Sequence, residues 1–150
     1  MNFTGENMDI KKNDIIDLEI TGYTAEGSGV GRYRDIAVFV PLAAAGDKLR
    51  VQILKTAKTF AFGRIDKILT ASKDRVPQDC MQFTQCGGCV YRHINYQTEL
   101  KAKQQRVQDA MERIGGFRSI VLQPIVGAKN PDRYRNKAQI PIGRGPGDEI

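Results

Sequence analysis

The chain has 150 residues, of which 41% are hydrophobic and 27% are charged, a composition typical of globular proteins and not of disordered ones. No apolar run approaches the roughly 20 residues that a membrane-spanning helix needs, and the polar, acidic start is unlike a signal peptide. We therefore expect a cytoplasmic protein with no membrane partner. The net charge of +6 and the pI near 9.3 suit an anionic partner, although ordinary solubilising charges explain them equally well.

Charge is unevenly distributed along the chain. Residues 1–26 carry a net charge of −4, whereas residues 27–70 and residues 71–150 carry +5 each. An acidic lead followed by two basic blocks favours a surface with one basic side, as polyanion-binding proteins have.

The first seventy residues predict a small β-barrel. Apolar and polar residues alternate at 16–20, the period of a half-buried strand, and glycines at every second position of 27–31 indicate a sharp bend or bulge. Three further strand patterns follow at 36–40, 49–53 and 60–65. Five short strands in so few residues indicate a closed antiparallel barrel of the OB type, a fold that often binds nucleic acid but does not by itself define a function.

The remainder predicts an α+β chain with an incomplete second unit. Asn95 is expected to cap a helix from Tyr96 to about Ile114, which ends at two glycines. Its apolar residues share one face: Tyr96, Leu100, Val107, Met111 and Ile114. Strands are expected at 123–126 and 137–142, too few to close a core. The predicted divisions are a barrel at 9–70, a linker and cysteine loop at 71–95, and a helix with the beginning of a central domain at 96–150.

Three cysteines lie within ten residues, as Cys80, Cys86 and Cys89 in the pattern C-x5-C-G-G-C. Clustering of this kind in a cytosolic chain favours a metal over disulfides. An iron–sulfur cluster uses such a loop with one distant fourth cysteine, which this chain lacks. Since His93 follows Cys89 at a short spacing, a tetrahedral zinc site of three cysteines and one histidine is an open alternative, as are unligated thiols.

The run from Cys86 to His93, followed by Tyr96, Leu100 and the Arg113-Ile114-Gly115 stretch, resembles the signature of the RNA uracil-5-methyltransferases. Tyr134-Arg135-Asn136-Lys137 also resembles the central domain of that family, and the glycines at 27–31 resemble its TRAM barrel. The resemblance covers nearly the whole chain, and its specific part runs from the cysteines to the helix.

The resemblance implies a TRAM domain that binds RNA, a [4Fe–4S] cluster held by Cys80, Cys86 and Cys89, and a fourth cysteine beyond residue 150. The histidine at position 93 is not a ligand in that family, and Arg92 stands where many members have glutamine. The implied activity is transfer of a methyl group from S-adenosylmethionine to C5 of a uridine, in 23S ribosomal RNA in preference to transfer RNA. We expect the catalytic domain to lie outside this chain, so we expect the chain to be inactive alone and nominate no catalytic residue. We also expect a monomer.

The predicted RNA contacts are basic residues and one tyrosine: Arg32, Tyr33, Arg34, Lys55, Lys58, Arg64, Arg133, Arg135 and Lys137. A basic groove with aromatic side chains is typical of proteins that bind single strands. Phe60 and Phe62 alternate between these cations, and because phenylalanine is usually buried we expect both in the barrel core.

Two other functions are compatible with the sequence. One is an RNA-binding module with a structural zinc ion bound by three cysteines and His93. The other is an iron–sulfur electron carrier with a barrel attached. For the favoured methyltransferase, we expect the cluster to act as a structural link, because methyl transfer requires no electron.

Overall fold

A computed structural model of the protein describes residues 10–134 and 136–137. Its first part is a closed five-stranded barrel with the strand order β1-β2-β3-β5-β4. The strands are β1 (Ile15–Tyr23), β2 (Gly29–Tyr33), β3 (Ile36–Val40), β4 (Lys48–Thr56) and β5 (Phe60–Thr70). The small barrel expected from the alternating pattern is therefore confirmed.

One strand pair differs from the expected antiparallel arrangement. Strands β3 and β5 run parallel, with Val38 opposite Ala61, whereas the other four neighbouring pairs are antiparallel. A parallel pair requires a crossover connection, and here the chain from β3 returns along β4 before β5 begins. The barrel is thus mixed, and the β3–β5 seam closes it.

Alternate residues of the strands point into the barrel. Ile16, Leu18 and Ile20 of β1 face Leu49, Val51 and Ile53 of β4, and all six are buried. On β5 the inward positions are the small residues Ala61 and Gly63. A Cβ atom on Gly63 would lie only 2.3 Å from a methyl carbon of Val51, so the neighbouring valine already fills that part of the interior.

The segment predicted as a linker is bound to the barrel. Asp47, which is fully buried, accepts hydrogen bonds from the backbone N–H groups of Ala44 (2.7 Å) and Ser72 (2.8 Å). Its carboxylate also pairs with the Arg75 guanidinium at 2.7 Å, and the same guanidinium donates to the Leu42 carbonyl at 3.0 Å. Residues 72–75 are therefore fastened to the barrel between β3 and β4.

The two ends of the cysteine loop are joined. Arg75 and Ile94 form an antiparallel β-bridge, and the Val76 N–H donates to the His93 carbonyl at 3.1 Å. The Asn95 N–H donates to the Asp74 carbonyl at 2.8 Å. Residues 77–92 consequently form a loop whose two ends are held together beside the barrel.

The predicted helix is confirmed, with a change of winding near its end. It comprises α2 (Tyr96–Asp109) and a π-helical turn (Ala110–Ile114), and a short α1 (Phe83–Cys86) precedes it within the cysteine loop. The predicted apolar face is not buried: Val107 is 51% exposed and Ile114 is 88% exposed. Within the described residues, no helix is both long and apolar enough to cross a membrane.

Replacement of Asn95 by alanine is expected to lower the free energy of unfolding by about 1 kcal/mol. The Asn95 side chain accepts a hydrogen bond from the Thr98 N–H at 2.9 Å, and its amide group lies 3.3 Å from the Asp74 carbonyl. Alanine removes both contacts at the start of α2. Urea denaturation of the variant measures the loss, and Asn95→Ser, which keeps an acceptor without adding a charge beside Asp74, should retain the part due to the cap. Equal losses in the two variants would contradict a capping role.

The strand predicted at 123–126 is not present, since these residues form no ladder with any described part of the chain. Pro124 has no N–H to donate to a neighbouring strand, and the Ile125 N–H instead donates to the Gln104 side chain of α2 at 3.2 Å. The second predicted strand, at 137–142, lies outside the described residues except for Lys137, which is exposed and not in a strand.

Candidate nucleic-acid interface and cysteine loop

Three of the predicted RNA-binding cations share the outer surface of the barrel. Arg32 on β2 pairs in register with Ala37, Lys55 on β4 with Phe62, and Arg64 on β5 with Gln52. All three cations are exposed, and Lys58 lies in the turn between β4 and β5. Cations that are far apart in the sequence therefore lie on the outer surface formed by neighbouring strands.

Tyr33 is less available for base stacking than the sequence indicates. It is half-buried and packs against the barrel core, at the end of β2. The guanidinium of Arg34, which has a backbone φ of 54°, lies over the ring at 5.3 Å from its centre. Arg34 thus covers one face of Tyr33, and the two residues form a cation–π pair.

The expectation that Phe60 and Phe62 lie in the core is wrong. Both side chains project from the outside of β5, and Phe62 is 42% exposed. They form a cluster with Phe39 of β3, in which the three ring centres are 5.5–5.8 Å apart. The alternation correctly predicted that both phenylalanines are on the same face of β5. That face is the outer one, because the inward positions are occupied by Ala61 and Gly63.

The predicted contacts near the end of the chain lie apart from a regular strand. Arg133 is exposed with a left-handed φ of 54°, and its neighbour Asp132 receives a hydrogen bond from Arg92 of the cysteine loop at 3.2 Å. Arg133 therefore lies beside that loop and not in the extended segment that the alternation predicts. Lys137 is exposed, and Arg135 lies outside the described residues.

The cysteine loop carries its three thiols at the surface. Cys86 and Cys89 are exposed and Cys80 is half-buried, and all three are free of disulfides. Helix α1 follows Cys80 and contains Cys86 as its last residue, and it is capped by Gly87, whose φ of 66° is left-handed. Within the described part of the chain, no three cysteine, histidine or acidic side chains converge as a metal site.

The chemistry of the donor set nevertheless fits an iron–sulfur cluster. Soft thiol ligands on a short glycine-containing loop are the groups that bind such clusters. None of the three cysteines is among the buried residues of the barrel core. A Cβ atom on Gly87 would meet no atom within 4 Å, which leaves open space beside Cys86.

His93, the histidine of the alternative zinc site, is turned towards the barrel. It is buried, its Nε2 lies 3.3 Å from the Ala43 carbonyl, and its Nδ1 is enclosed without a hydrogen-bond partner in the described structure. Burial lowers the pKa of His93, so the neutral ring is favoured. The ring stacks on Phe83 of α1 at 6.1 Å. His93 therefore acts as a packing residue between the barrel and the cysteine loop.

The turn between β1 and β2 also contacts the cysteine loop. Gly27 has a φ of 85°, and a Cβ atom there would lie 2.1 Å from Val90 and 3.0 Å from the Tyr91 ring. The Tyr91 ring meets Tyr23 edge to face at 5.8 Å. Gly27, which the sequence pattern assigned to a bend, is thus required where the β1–β2 turn contacts the cysteine loop. The two segments are more than sixty positions apart in the sequence.

Arg92 organises the other side of the loop. It forms a two-point contact with Asp79 (2.6 and 2.8 Å), the residue before Cys80, as well as the contact with Asp132. The Asp79 and Asp132 carboxylates raise the pKa of Arg92 and keep it charged. A cleft of about 760 Å³ opens here, lined in part by Cys89, Tyr91, Arg92, Lys103 and Tyr134.

Comparison with known proteins shows a family match within the barrel and relatives that are similar over most of this chain. The TRAM domain family model matches residues 11–65. A protein of Halalkalibacterium halodurans named an uncharacterized RNA methyltransferase is 41% identical over 141 residues, which is 94% of this chain and 31% of that protein. One of Synechocystis with the same description is 39% identical over 134 residues, 89% of this chain and 29% of that protein. The chain thus spans about a third of the length of these relatives.

Among solved structures, the tRNA (uracil-54, C5)-methyltransferase of Pyrococcus abyssi, in complex with S-adenosyl-L-homocysteine, is 25% identical. The similarity covers 67% of this chain and 21% of that one, with a TM-score of 0.42.

Proposed function

Because the chain carries a TRAM domain and is homologous over most of its length to proteins named RNA methyltransferases, we propose that it is the RNA-binding and cluster-binding part of such an enzyme. The proposed reaction is methyl transfer from S-adenosylmethionine to C5 of a uridine. The single observation that carries the proposal is 41% identity to an RNA methyltransferase over 94% of the chain. The proposed substrate is 23S ribosomal RNA in preference to transfer RNA, because the arrangement of a barrel followed by a cysteine loop resembles the uracil-5-methyltransferases that act on ribosomal RNA.

The role of the barrel in this proposal is to hold RNA by its phosphates. Arg32 of β2, Lys55 of β4, Lys58 of the following turn and Arg64 of β5 are exposed on the outside of the barrel, and within the described residues none of the four is ion-paired. In contrast, Arg50, on the outer face of β4, is paired with Asp17 of β1 at 2.9 Å. Cations without an ion-pair partner are available to displace the counterions of RNA phosphates, so these four are the proposed phosphate contacts.

The role of the cysteine loop is to bind a [4Fe–4S] cluster through Cys80, Cys86 and Cys89. A bound cluster would supply a link between this loop and a fourth ligand elsewhere in the enzyme. What supports this role is that the Arg75–Ile94 bridge closes the base of the loop and that Tyr91 packs on Tyr23 of the barrel. Loop and RNA-binding barrel are thereby held together.

The reaction also requires a thiolate that adds to C6 of the uracil ring, and a base that removes the C5 proton. We assign neither role to a described residue, because the three cysteines are proposed as cluster ligands. In this proposal the described residues bind and orient the RNA, and the chemical groups belong to the rest of the enzyme.

RNA binding is tested by the salt dependence of affinity for a single-stranded RNA oligonucleotide. We expect the logarithm of the association constant to fall linearly with the logarithm of salt concentration. Replacing the four barrel cations with alanine should reduce the slope by roughly 3, because each phosphate contact on a single strand contributes about 0.7. The control is Arg50→Ala, which should leave the slope unchanged. Equal slopes for all proteins would contradict the proposed surface, and no binding by the wild-type chain would contradict the proposed function.

Cluster binding is tested by anaerobic reconstitution with iron and sulfide, with a small thiol added for the fourth position. We expect bound iron and sulfide with the broad visible absorption of thiolate-bound iron, which Cys86→Ser should abolish. His93→Ala should retain the iron, since His93 faces Ala43. If the protein instead binds stoichiometric zinc, and His93→Ala loses that zinc, the cluster proposal is wrong. The alternative, an RNA-binding module with a structural zinc ion, would then be supported.

A further inference from the structure

The three phenylalanines on the outside of the barrel form a compact aromatic cluster across the β3–β5 seam. Phe39 and Phe62 are opposite each other in the parallel register, and Phe60 precedes Phe62 on the same side of β5. The interplanar angles are 42°, 51° and 84°, so the rings are tilted and not stacked face to face. This geometry leaves ring surface available to a further aromatic group.

The packing of the barrel interior explains why residues 39, 60 and 62 are on the outside. It does not explain why these outward residues are aromatic. The inward positions of the same strands hold Val38, Ala61 and Gly63, which already close the interior. A polar residue at position 62 would satisfy the alternation equally well. Three adjacent aromatic side chains on a strand surface, with Phe62 42% exposed, are instead typical of a binding surface.

The charges around the cluster identify the chemistry of the partner. Lys55 is directly opposite Phe62 in the β4–β5 register, and Arg64 is the next outward residue of β5. Arg32 is opposite Ala37, which neighbours Phe39 on the outer side of β3, and Lys58 is in the turn before Phe60. Aromatic rings bordered by cations fit a ligand that has flat bases and a negatively charged backbone.

We propose that Phe39, Phe60 and Phe62 form a stacking platform for unpaired bases of an RNA strand whose phosphates contact Lys55, Lys58, Arg64 and Arg32. This inference rests on the proposed RNA-binding function and adds to it the part of the RNA that the barrel contacts. Only unpaired bases can reach the rings, because the bases of a duplex are stacked on one another. The barrel therefore selects single-stranded or looped RNA over duplex RNA.

A protein surface is the other possible occupant of an exposed aromatic cluster, and the charges favour RNA over it. Protein interfaces are depleted of lysine at their centre, whereas Lys55 is the direct cross-strand neighbour of Phe62. The acidic residues Asp17 and Glu19 are on β1, which pairs with the edge of β4 away from β5, and Asp17 is bound by Arg50 of β4. Strand β4 thus separates these carboxylates from Arg64 and from the phenylalanines of β5.

The experiment uses the 150-residue chain and a short RNA that contains 2-aminopurine, a base whose fluorescence is quenched when it stacks. We expect quenching on binding to the wild-type protein, and loss of the quenching with Phe62→Leu or Phe60→Leu. Affinity for the single strand should fall roughly tenfold with each leucine variant, whereas Phe62→Tyr, which keeps the ring, should bind within about twofold of wild type. Leucine preserves apolar surface, so the fold should be retained, and circular dichroism verifies this.

The control is Val107→Ala, which removes an exposed apolar side chain (51% exposed) from α2, outside the barrel, and should change neither quenching nor affinity. If the wild type binds RNA with the expected salt dependence, but the leucine variants bind and quench as the wild type does, the stacking platform is wrong and RNA binding stands. If the leucine variants instead only abolish self-association of the chain, the cluster is a protein interface. If the wild type binds no RNA, the proposed function itself fails.

Discussion

Replacing Arg75 with alanine is expected to lower the free energy of unfolding by about 3–5 kcal/mol, because it leaves a buried carboxylate without its cation. Asp47 is fully buried, and Arg75 approaches it at 2.7 Å while also donating to the Leu42 carbonyl. The two backbone N–H groups from Ala44 and Ser72 remain in the variant but do not neutralise the charge. Urea denaturation followed by circular dichroism measures the loss.

The matched control is Arg50→Ala, which breaks the other arginine–aspartate pair of the barrel. The side chains of Arg50 and Asp17 are 44% and 56% exposed, so water and salt already screen their attraction. A far smaller change than that of Arg75→Ala is expected. If the two variants lost similar amounts of unfolding free energy, the burial of Asp47 would not make its ion pair more important to stability than an exposed pair.

The pH dependence of stability provides a second measurement of the same pair. Burial raises the pKa of Asp47, but the hydrogen bonds from Arg75, Ser72 and Ala44 and the charge of Arg75 outweigh burial and hold it below the ordinary value of 3.8. The contribution of a carboxyl with a lowered pKa is fully present above its unfolded pKa and is lost as the pH falls through its folded pKa. The deficit of Arg75→Ala should therefore be largest near neutral pH and shrink below pH 3.8. A deficit that is constant with pH would contradict the pairing.

Replacing Gly27 with alanine is expected to destabilise the protein by about 2–5 kcal/mol, from roughly 1–2 kcal/mol of left-handed backbone strain and roughly 1–3 kcal/mol of overpacking. The added Cβ would lie 2.1 Å from a Val90 methyl and 3.0 Å from the Tyr91 ring, and Gly27 has a φ of 85°. Because the colliding residues belong to the cysteine loop, this loop should also detach from the barrel. Denaturation measures the first effect, and limited proteolysis of residues 77–92 measures the second.

Gly46→Ala is the matched control for this variant. Gly46 has a φ of 89° within the same barrel, and a Cβ atom there would meet only the Ser72 side chain, at 3.2 Å or more. Gly46→Ala should therefore lower the free energy of unfolding through backbone strain alone, and residues 77–92 should stay protected from protease. Val90→Ala in the Gly27→Ala background should recover part of the overpacking. If Gly27→Ala and Gly46→Ala proved equally stable and equally protected from protease, the contact between turn and loop would be unimportant.

Local patterns were sufficient for much of the fold. Alternation over 16–20 and 49–53 is a property of neighbouring residues, and it predicted the strands that line the core. Asn95 was predicted as a cap because the cap interaction spans only three residues, and its side chain does accept from Thr98. The spacing of the cysteines likewise predicted a metal site, and the resemblance to the uracil-5-methyltransferases favoured an iron–sulfur cluster over zinc, which stays a proposal.

Alternation did not establish which face of β5 points inward. Phe60 and Phe62 are larger and more apolar than Ala61 and Gly63, so composition favoured the phenylalanines for the core. The interior beside β5 is occupied by Val38 and Val51, and a side chain on Gly63 would collide with Val51. The volume left by other strands, which no local pattern contains, therefore assigned the small residues to the inside and the rings to the surface.

The sequence by itself determined the strand periods, the capped helix, the cysteine spacing and the resemblance to RNA methyltransferases, since each is a relation among residues near one another in the chain or a shared motif. Only the tertiary structure brought Asp47 to Arg75, Gly27 to Val90 and His93 to Ala43, and gathered Phe39 with Phe60 and Phe62. These contacts join segments that are distant in sequence. They depend on how the barrel closes, because closure of the β3–β5 seam and the return of the cysteine loop determine which distant side chains share space.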